Sequence, residues 1–376
     1  MSLFIQGVGA VSALGPTAAT TWAQLVAGNE APRKAIPNGL VDREYYYVPV
    51  PEKFVAEAGR HPRLRRSGTL SLMGVVAAYD ALADAGFQPE AQLGGRCAVI
   101  YAICSGGMNY TRRFYHELVT QGANAASPML FPETVYNAPA SHLAALLRED
   151  GQSYTLVGDS AVGLSAIHFA AQLLANQHEL ETCVVVGTEE ADWILSDAFD
   201  SWRMATRNPD FEVFGEAQGT IFGEGAGAVV LGRTHGIPLV RSGPGLCFFS
   251  RRDALTAARQ VIEPMIEGEV PDCVIGSANG TFVDQIEERV LRELLPATLV
   301  YSYKPALGEA LGASALFQTI FAALALRNQT LPGTRHGGHR LASLARESRT
   351  MKLRRALVTV IGFNQQANAL LLGTGN

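Results

Sequence analysis

The sequence has no uninterrupted apolar run approaching the roughly eighteen residues of a membrane helix, and no leading segment that joins a basic start, a long apolar core and a cleavage site. The expectation is a cytoplasmic protein with no membrane span. Cysteine is scarce: Cys97, Cys104, Cys183, Cys247 and Cys273 are an odd set of five without a CxxC pair. That argues against a disulfide framework, and most of them lie in apolar runs that suit buried, reduced thiols. No metal site and no cofactor is expected. Charge is sparse at 17% of residues, and 30 basic against 35 acidic side chains leave a net charge of -5. A general nucleic-acid or anionic-membrane surface is therefore excluded. What is abundant is apolar residues, 48%, and glycine, 38 in all. In 376 residues this composition describes a compact chain with many close backbone approaches, large enough for two domains or one duplicated fold.

The most informative stretch runs from Gly151 to Gln177. It predicts a short strand at Tyr154–Val157, a sharp turn at Gly158-Asp159-Ser160, and a helix from Ala161 with apolar or small residues on every face. A polar side chain at the start of a buried helix, directly after a strand, sits where unpaired N–H groups and the helix dipole favour negative charge. Ser160 is thus the candidate nucleophile, although its Gly-x-Ser-x-x-Gly spacing misses the Gly-x-Ser-x-Gly elbow of hydrolases.

Around this stretch strands and helices alternate. Apolar strands are expected at 96–104, 182–187, 222–231, 237–249, 273–275, 298–301, 356–361 and 369–372. Helices are expected at about 17–28, 68–85, 253–267, 284–294 and 310–326. Such alternation implies parallel sheet with helices on both faces. The aromatic-rich stretch 193–222 predicts a long irregular segment packed across the site entrance. His142 and His168 read as structural histidines. Arg63, Arg65 and Arg66, just ahead of the helix at 68–85, are either a solvated helix start or a dock for an acidic partner.

These segments resemble the β-ketoacyl synthase family, the condensing enzymes of fatty acid and polyketide synthesis, over nearly the whole chain. Residues 2–14 are similar to the family's ITGxGxVSxxG, Ser105-Gly106-Gly107 to its GTGxGG turn, and Phe222 to Leu231 to GEGAGxxVL. Ser277 to Thr281 matches NAHGT, Lys304 to Ala313 matches KSxxGHxxGAAG, and Gly362 to Ala369 matches GFGGTNA. The resemblance implies an α/β, thiolase-like duplicated fold: a five-layer αβαβα sandwich with two mostly parallel sheets, one half over 1–235 and the other over 236–376. It also implies that the segment holding Met129, Phe131, Pro132, Tyr136 and Asn137 forms a subunit interface and acyl-tunnel wall.

Condensation in this family uses a cysteine thiolate, two histidines and a lysine. Here Ser160 stands at the cysteine, Asn279 and Glu309 stand at the histidines, and only Lys304 keeps its identity. A serine hydroxyl needs a positioned base to act as a nucleophile. Asn279 retains an amide that donates to an oxyanion. An ionised Glu309 opposes enolate formation: two like charges about 4 Å apart at an effective dielectric near 20 repel by roughly 4 kcal/mol, about three decades in rate. Burial that keeps it protonated, or an ion pair with Lys304, would change that balance. The gate turn is altered too, with Phe363, Asn364, Gln365 and Gln366 where the family has a phenylalanine followed by paired glycines. A stiffer, side-chain-filled loop is expected.

Three readings follow. The first is a non-catalytic chain length factor that heterodimerises with an active β-ketoacyl synthase, shapes its acyl or polyketide tunnel, and works with acyl carrier protein in a type II polyketide or fatty-acid-like pathway such as aryl polyene synthesis. Alone, such a chain is open to homodimerising. The second is a serine-dependent acyltransferase or thioester hydrolase with Glu309 as base and Asn279 in an oxyanion hole. The third is a ligand-binding or scaffolding protein of the same fold.

Overall fold

The computed structural model describes residues 2–88, 93–124, 126–148, 151–216, 219–362 and 365–375. In the first half, β1 (Leu3–Ser12), α1 (Ala18–Val26), α2 (Thr69–Asp84), β2 (Cys97–Ile103), α3 (Met108–Gln121), α4 (Ala138–Leu146), β3 (Gln152–Val157), α5 (Val162–Asn176), β4 (Thr182–Glu189), α6 (Trp193–Ser201) and β5 (Gly225–Gly232) follow one another. The second half runs β6 (Ile237–Ser242), α7 (Arg251–Ile266), β7 (Cys273–Ile275), α8 (Phe282–Leu294), β8 (Leu299–Tyr301), α9 (Lys304–Leu307), α10 (Ser314–Asn328), β9 (Arg355–Ile361) and β10 (Gln366–Gly373).

The two halves repeat one topology. The first orders its strands β3-β2-β4-β5-β1 and the second β8-β7-β9-β10-β6. In each, the fourth strand of that order runs against both neighbours and the other four point one way. The halves join edge to edge where β1 pairs with β6, from Leu3↔Leu239 to Ile5↔Ile237.

Helices complete five layers. The outer helix α2 lies on β1, β5 and β4, the central pair α5 and α10 fills the space between the sheets, and α7 and α8 cover the far side. Close approach explains part of the glycine content: at Gly7 and Gly9 a Cβ would fall 2.1 Å from the carbonyl oxygens of Ala81 and Ala77 in α2. Strand β2 shows why continuous apolar runs belong here, since Ala98, Ile100 and Ala102 face the central layer while Cys97, Val99, Tyr101 and Ile103 face the outer one. Every residue of α10 from Ser314 to Leu326 is buried, so the sequence gives that helix no polar face.

Two expectations need correction, and one helix was not expected. The 193–222 stretch is not irregular throughout: Asp192 caps Trp193–Ser201 by accepting the Ile194 N–H at 2.9 Å, and Phe199, Phe211 and Phe214 go into the core. The strand expected at 237–249 stops at Ser242, where a Gly243-Pro244-Gly245 turn breaks it, and only Leu246–Cys247 resumes pairing, with β10. Helix α3 carried no expectation; it buries none of its residues fully, and its Phe114 packs against Phe131 of the exposed loop with ring centroids 5.8 Å apart.

Candidate functional site

The first site residue is placed by the β3–α5 turn. The Gly158 N–H bonds to the Ile103 carbonyl, Asp159 Oδ1 accepts the Ala161 N–H at 3.0 Å, and Ser160 is left pointing inward at 1% exposure. The second is placed by a turn after β7, where two acids of α8 gather the backbone. Glu287 accepts N–H groups of Ser277 and Ala278, and Asp284 accepts those of Asn279 and Gly280. Burial pushes the Asp284 carboxyl up to about 7. The third site segment is α9 and the residues after it. Gly308, at φ 76°, reverses the chain where any Cβ would meet the Gly223 backbone, and brings Glu309 back over Lys304.

These turns converge on the Glu309 carboxylate. Oε1 accepts from Ser160 Oγ at 3.1 Å, from the Leu311 N–H at 3.0 Å and from Ser314 Oγ. Oε2 accepts from Asn279 Nδ2 at 3.0 Å and from Lys304 Nζ at 2.6 Å. Lys304 also donates to the Ser277 carbonyl at 2.8 Å, and Asn279 Oδ1 accepts the Thr281 hydroxyl at 2.6 Å. Burial alone would raise the Glu309 pKa; the charge and hydrogen bond of Lys304, with the other donors, outweigh it and hold the carboxyl below its usual range. Glu309 is therefore ionised at neutral pH and paired. Five donors on one carboxylate leave it little capacity to take a proton.

The structure thus brings Ser160, Asn279, Lys304 and Glu309 into one hydrogen-bonded cluster, each essentially without solvent contact. Phe211 and Gly219 lie directly over Gly280, so part of the aromatic-rich stretch does cover this turn. Phe363 and Asn364 lie outside the described residues. Gln365 is exposed in a left-handed conformation (φ 81°), whereas the half-buried Gln366 reaches Asp159. Of the two glutamines, Gln366 turns inward and Gln365 does not.

Met129, Phe131, Pro132, Tyr136 and Asn137 are on the surface, with Met129, Phe131 and Tyr136 at 53%, 55% and 45% exposure. Glu133 anchors their loop: it accepts the Gly68 N–H at 3.0 Å and pairs with His142 Nε2 at 2.7 Å. His168 Nδ1 sits 3.1 Å from Ser242 Oγ. The group within reach of the Ser160 hydroxyl is Glu309 and not a histidine. Among the described residues no cluster of ligating side chains could hold a metal ion, and no helix is long and apolar enough to cross a membrane.

Sequence reasoning missed Ser314, Asp284 and Glu287, and above all Glu189, a buried acid at the end of β4. The i, i+3 spacing of Asp284 and Glu287 just past the Ser277 to Thr281 turn was the one available signal for the α8 pair. Nothing local marks Ser314; Glu189 stands in Thr188-Glu189-Glu190, where the family resemblance has a small-residue turn, and that departure was its one signal.

Comparison with known proteins follows the same lines. The family model for the beta-ketoacyl synthase N-terminal domain matches residues 2–235, and that for the C-terminal domain matches residues 267–337. The chain is 26% identical over 372 residues to a 3-oxoacyl-[acyl-carrier-protein] synthase 2 of Rhizobium meliloti, covering 88% of this chain and 87% of that one. It is 24% identical over 414 residues to the synthase of the same name from Coxiella burnetii, at 98% and 97% coverage. Among solved structures, the ishigamide ketosynthase/chain length factor superposes with a TM-score of 0.86 at 21% identity, covering 100% of this chain and 99% of that one. A ketosynthase in complex with its chain length factor from Xenorhabdus doucetiae gives 0.80 at 19% identity, with 100% and 98% covered.

Proposed function

Since the chain belongs to the beta-ketoacyl synthase family, we propose that it is a non-condensing subunit of the chain length factor type, which pairs with a separate active ketosynthase and helps shape that partner's acyl tunnel. The observation that carries this is the ion pair of Glu309 with Lys304 beside Ser160. Ser160, Asn279 and Glu309 take the positions of the nucleophile and the two histidines in this reading. A fixed negative charge then stands where condensation builds an enolate, and a hydroxyl replaces the thiolate that would take the acyl chain.

The surface supports a partner. Strand β3 is the outer edge of its sheet, and Val157 at its end is 54% exposed. Exposed Tyr115, Val119, Met129, Phe131 and Tyr136 add an apolar face. An unpaired edge and large exposed apolar side chains fit a subunit contact. Arg63, Arg65 and Arg66 are exposed beside the anchored loop and suit the acidic surface of a carrier protein. The pathway we assign is type II polyketide or fatty-acid-like, aryl polyene synthesis included.

One observation favours the serine enzyme: the Ser160 hydroxyl does donate to a carboxylate. That carboxylate has a lowered proton affinity and four other donors, which makes it a weak general base. The test is intact-mass detection of an acyl adduct from acyl-carrier substrates, with native mass of the assembly, on the protein alone and with a ketosynthase encoded beside it. A one-to-one heterodimer labelled only on the partner supports the proposal. An adduct on this chain that disappears in Ser160→Ala would replace it with the serine enzyme.

A further inference from the structure

The outer face of α2 carries a cavity that the Ser160 cluster does not use. Gly7 and Gly9 of β1 seat this helix on the sheet at Ala81 and Ala77, so Val76 and Tyr79, a turn apart on its other side, point away from the sheet. The short helical turns Glu52–Phe54 and Ala58–Arg60 run over that side without closing on it. Between them and the helix lies a cavity of about 420 Å³, walled by Phe54, Leu64, Val75, Val76, Tyr79 and Leu146. That volume falls within the range of small-molecule sites, roughly 300–1,000 Å³.

Three polar groups line this apolar space, and none of them is saturated. The Tyr79 hydroxyl is half-buried and has no hydrogen-bond partner among the described residues; burial alone raises its pKa. His61 Nδ1 accepts the Arg63 N–H at 3.2 Å, which leaves the ring proton on Nε2 as a free donor. Glu57 is the one carboxylate on the lining, and it makes no ion pair among the described residues. The cations of the same segment, Lys53, Arg60 and Arg63, are exposed and do not line the cavity, Lys53 lying 5.4 Å from the centroid of the Phe54 ring. An unpaired carboxylate at the edge of an apolar cavity is complementary to a cation with an apolar body. A carboxylate ligand would be repelled by Glu57, and a neutral one would leave that charge without a partner.

We propose that this cavity binds a small amine with an apolar ring body: the ammonium group meets Glu57 at the exposed edge, and the body lies against Val76, Tyr79 and Leu146. The site shares no lining residue with the Ser160 cluster or with the apolar loop at 129–137, and it does not rest on the function proposed above.

The test measures dissociation constants of naphthylmethylamine, naphthylmethanol and naphthoate on the full chain by ligand-observed NMR; the three probes share one ring system and differ in charge. The amine is expected to bind about fivefold tighter than the alcohol, the scale of one partly exposed ion pair, and naphthoate more weakly than either. Glu57→Gln is expected to bring the amine down to the alcohol and to leave the alcohol unchanged. Val76→Trp, which puts an indole into the cavity, is expected to remove binding of all three. Should that variant not fold, Ala58→Phe fills the same space from the opposite wall and carries the same decision. No binding of the amine, equal binding of amine and naphthoate, or an amine preference that survives Glu57→Gln would overturn the proposal. Binding that persists in a folded cavity-filling variant would overturn it too, because the probe would then sit elsewhere.

Discussion

Asp159 and Gln366 hold each other across the molecule. The Asp159 N–H donates to Gln366 Oε1 at 3.2 Å, and the Gln366 N–H donates to Asp159 Oδ2 at 3.2 Å. This pair ties the turn that carries Ser160 to the start of β10, 207 residues away, and Gly362 is needed beside it because a Cβ there would fall 1.9 Å from Asp159 Oδ2. Gln366→Ala removes the acceptor of the Asp159 N–H and is expected to destabilise the protein by about 1–2 kcal/mol, the usual cost of leaving a partly buried donor without its partner. Urea unfolding checks it; an unchanged midpoint would mean water replaces the glutamine without cost.

The Lys304–Glu309 pair is expected to behave as a buried unit. Removing either partner strands the other charge, so Lys304→Met and Glu309→Gln should each cost about 3–5 kcal/mol, while the double variant should cost clearly less than their sum. Denaturant unfolding of the four proteins gives the coupling. Additive losses would show that the two groups do not depend on each other.

How much of this was readable from residues differs by level. The turns at Ser105-Gly106-Gly107, Ser277 to Thr281 and Lys304 to Ala313 marked the fold through their resemblance to the family's motifs, which alternation of strands and helices would not have established. The same turns named Asn279, Lys304 and Glu309, and the strand–turn–helix pattern named Ser160. Whether Glu309 is protonated or paired was not readable, since it depends on a 2.6 Å contact with Lys304 set by how α9 and Gly308 turn the chain. Glu189 showed in the sequence only as an acid where the family has a small-residue turn, and its role was not readable for a related reason: its N–H partners lie 84, 85 and 123 positions away, and backbone donors leave no mark on a sequence. Helix α6 was missed because aromatics at Trp193 and Phe199 drew attention away from the Asp192 cap.

Stability should fall as pH rises across the neutral range. Glu189, Glu224 and Asp284 have folded-state values raised by burial to about 8, about 7 and about 7. Groups raised on folding contribute stability that is fully present below their unfolded values, near 4, and is lost as pH climbs through 7 to 8. Glu309 acts in the opposite sense, its contribution lost only as pH falls below the ordinary carboxylate range. Between pH 5 and 8.5 the raised acids dominate, so the melting temperature should decline with pH. Glu189→Gln should flatten part of that decline. A melting temperature that rises over this window would show that these acids are solvated, not buried.

The apolar loop offers a separate handle on assembly. Phe131 and Tyr136 are half-exposed while Glu133 between them is locked to Gly68 and His142, so charge can be added at the tips without unfastening the loop. Phe131→Asp and Tyr136→Arg are expected to leave the unfolding free energy within about 1 kcal/mol of the parent, as for other surface changes, and to weaken binding of a ketosynthase partner by tenfold or more, as hot-spot aromatics do. Native mass titration reads this. Undiminished binding would move the contact to another face.

Restoring sulfur to the nucleophile position should not restore reactivity. In Ser160→Cys the thiol would sit where the hydroxyl now donates to Glu309 at 3.1 Å, buried and facing an ionised carboxylate. Both burial and a like charge oppose thiolate formation, so the new cysteine should have a raised pKa and react slowly. Iodoacetamide at pH 8 is expected to alkylate it at least about a hundredfold more slowly than the exposed Cys247, two decades being the rate effect of roughly 3 kcal/mol against the anion. Adding Glu309→Gln removes the charge but not the burial, so it should recover only part of that factor. Alkylation of Ser160→Cys as fast as Cys247 would mean that the site opens to solvent and that Glu309 does not hold its charge there, and the case against chemistry at this position would fail with it.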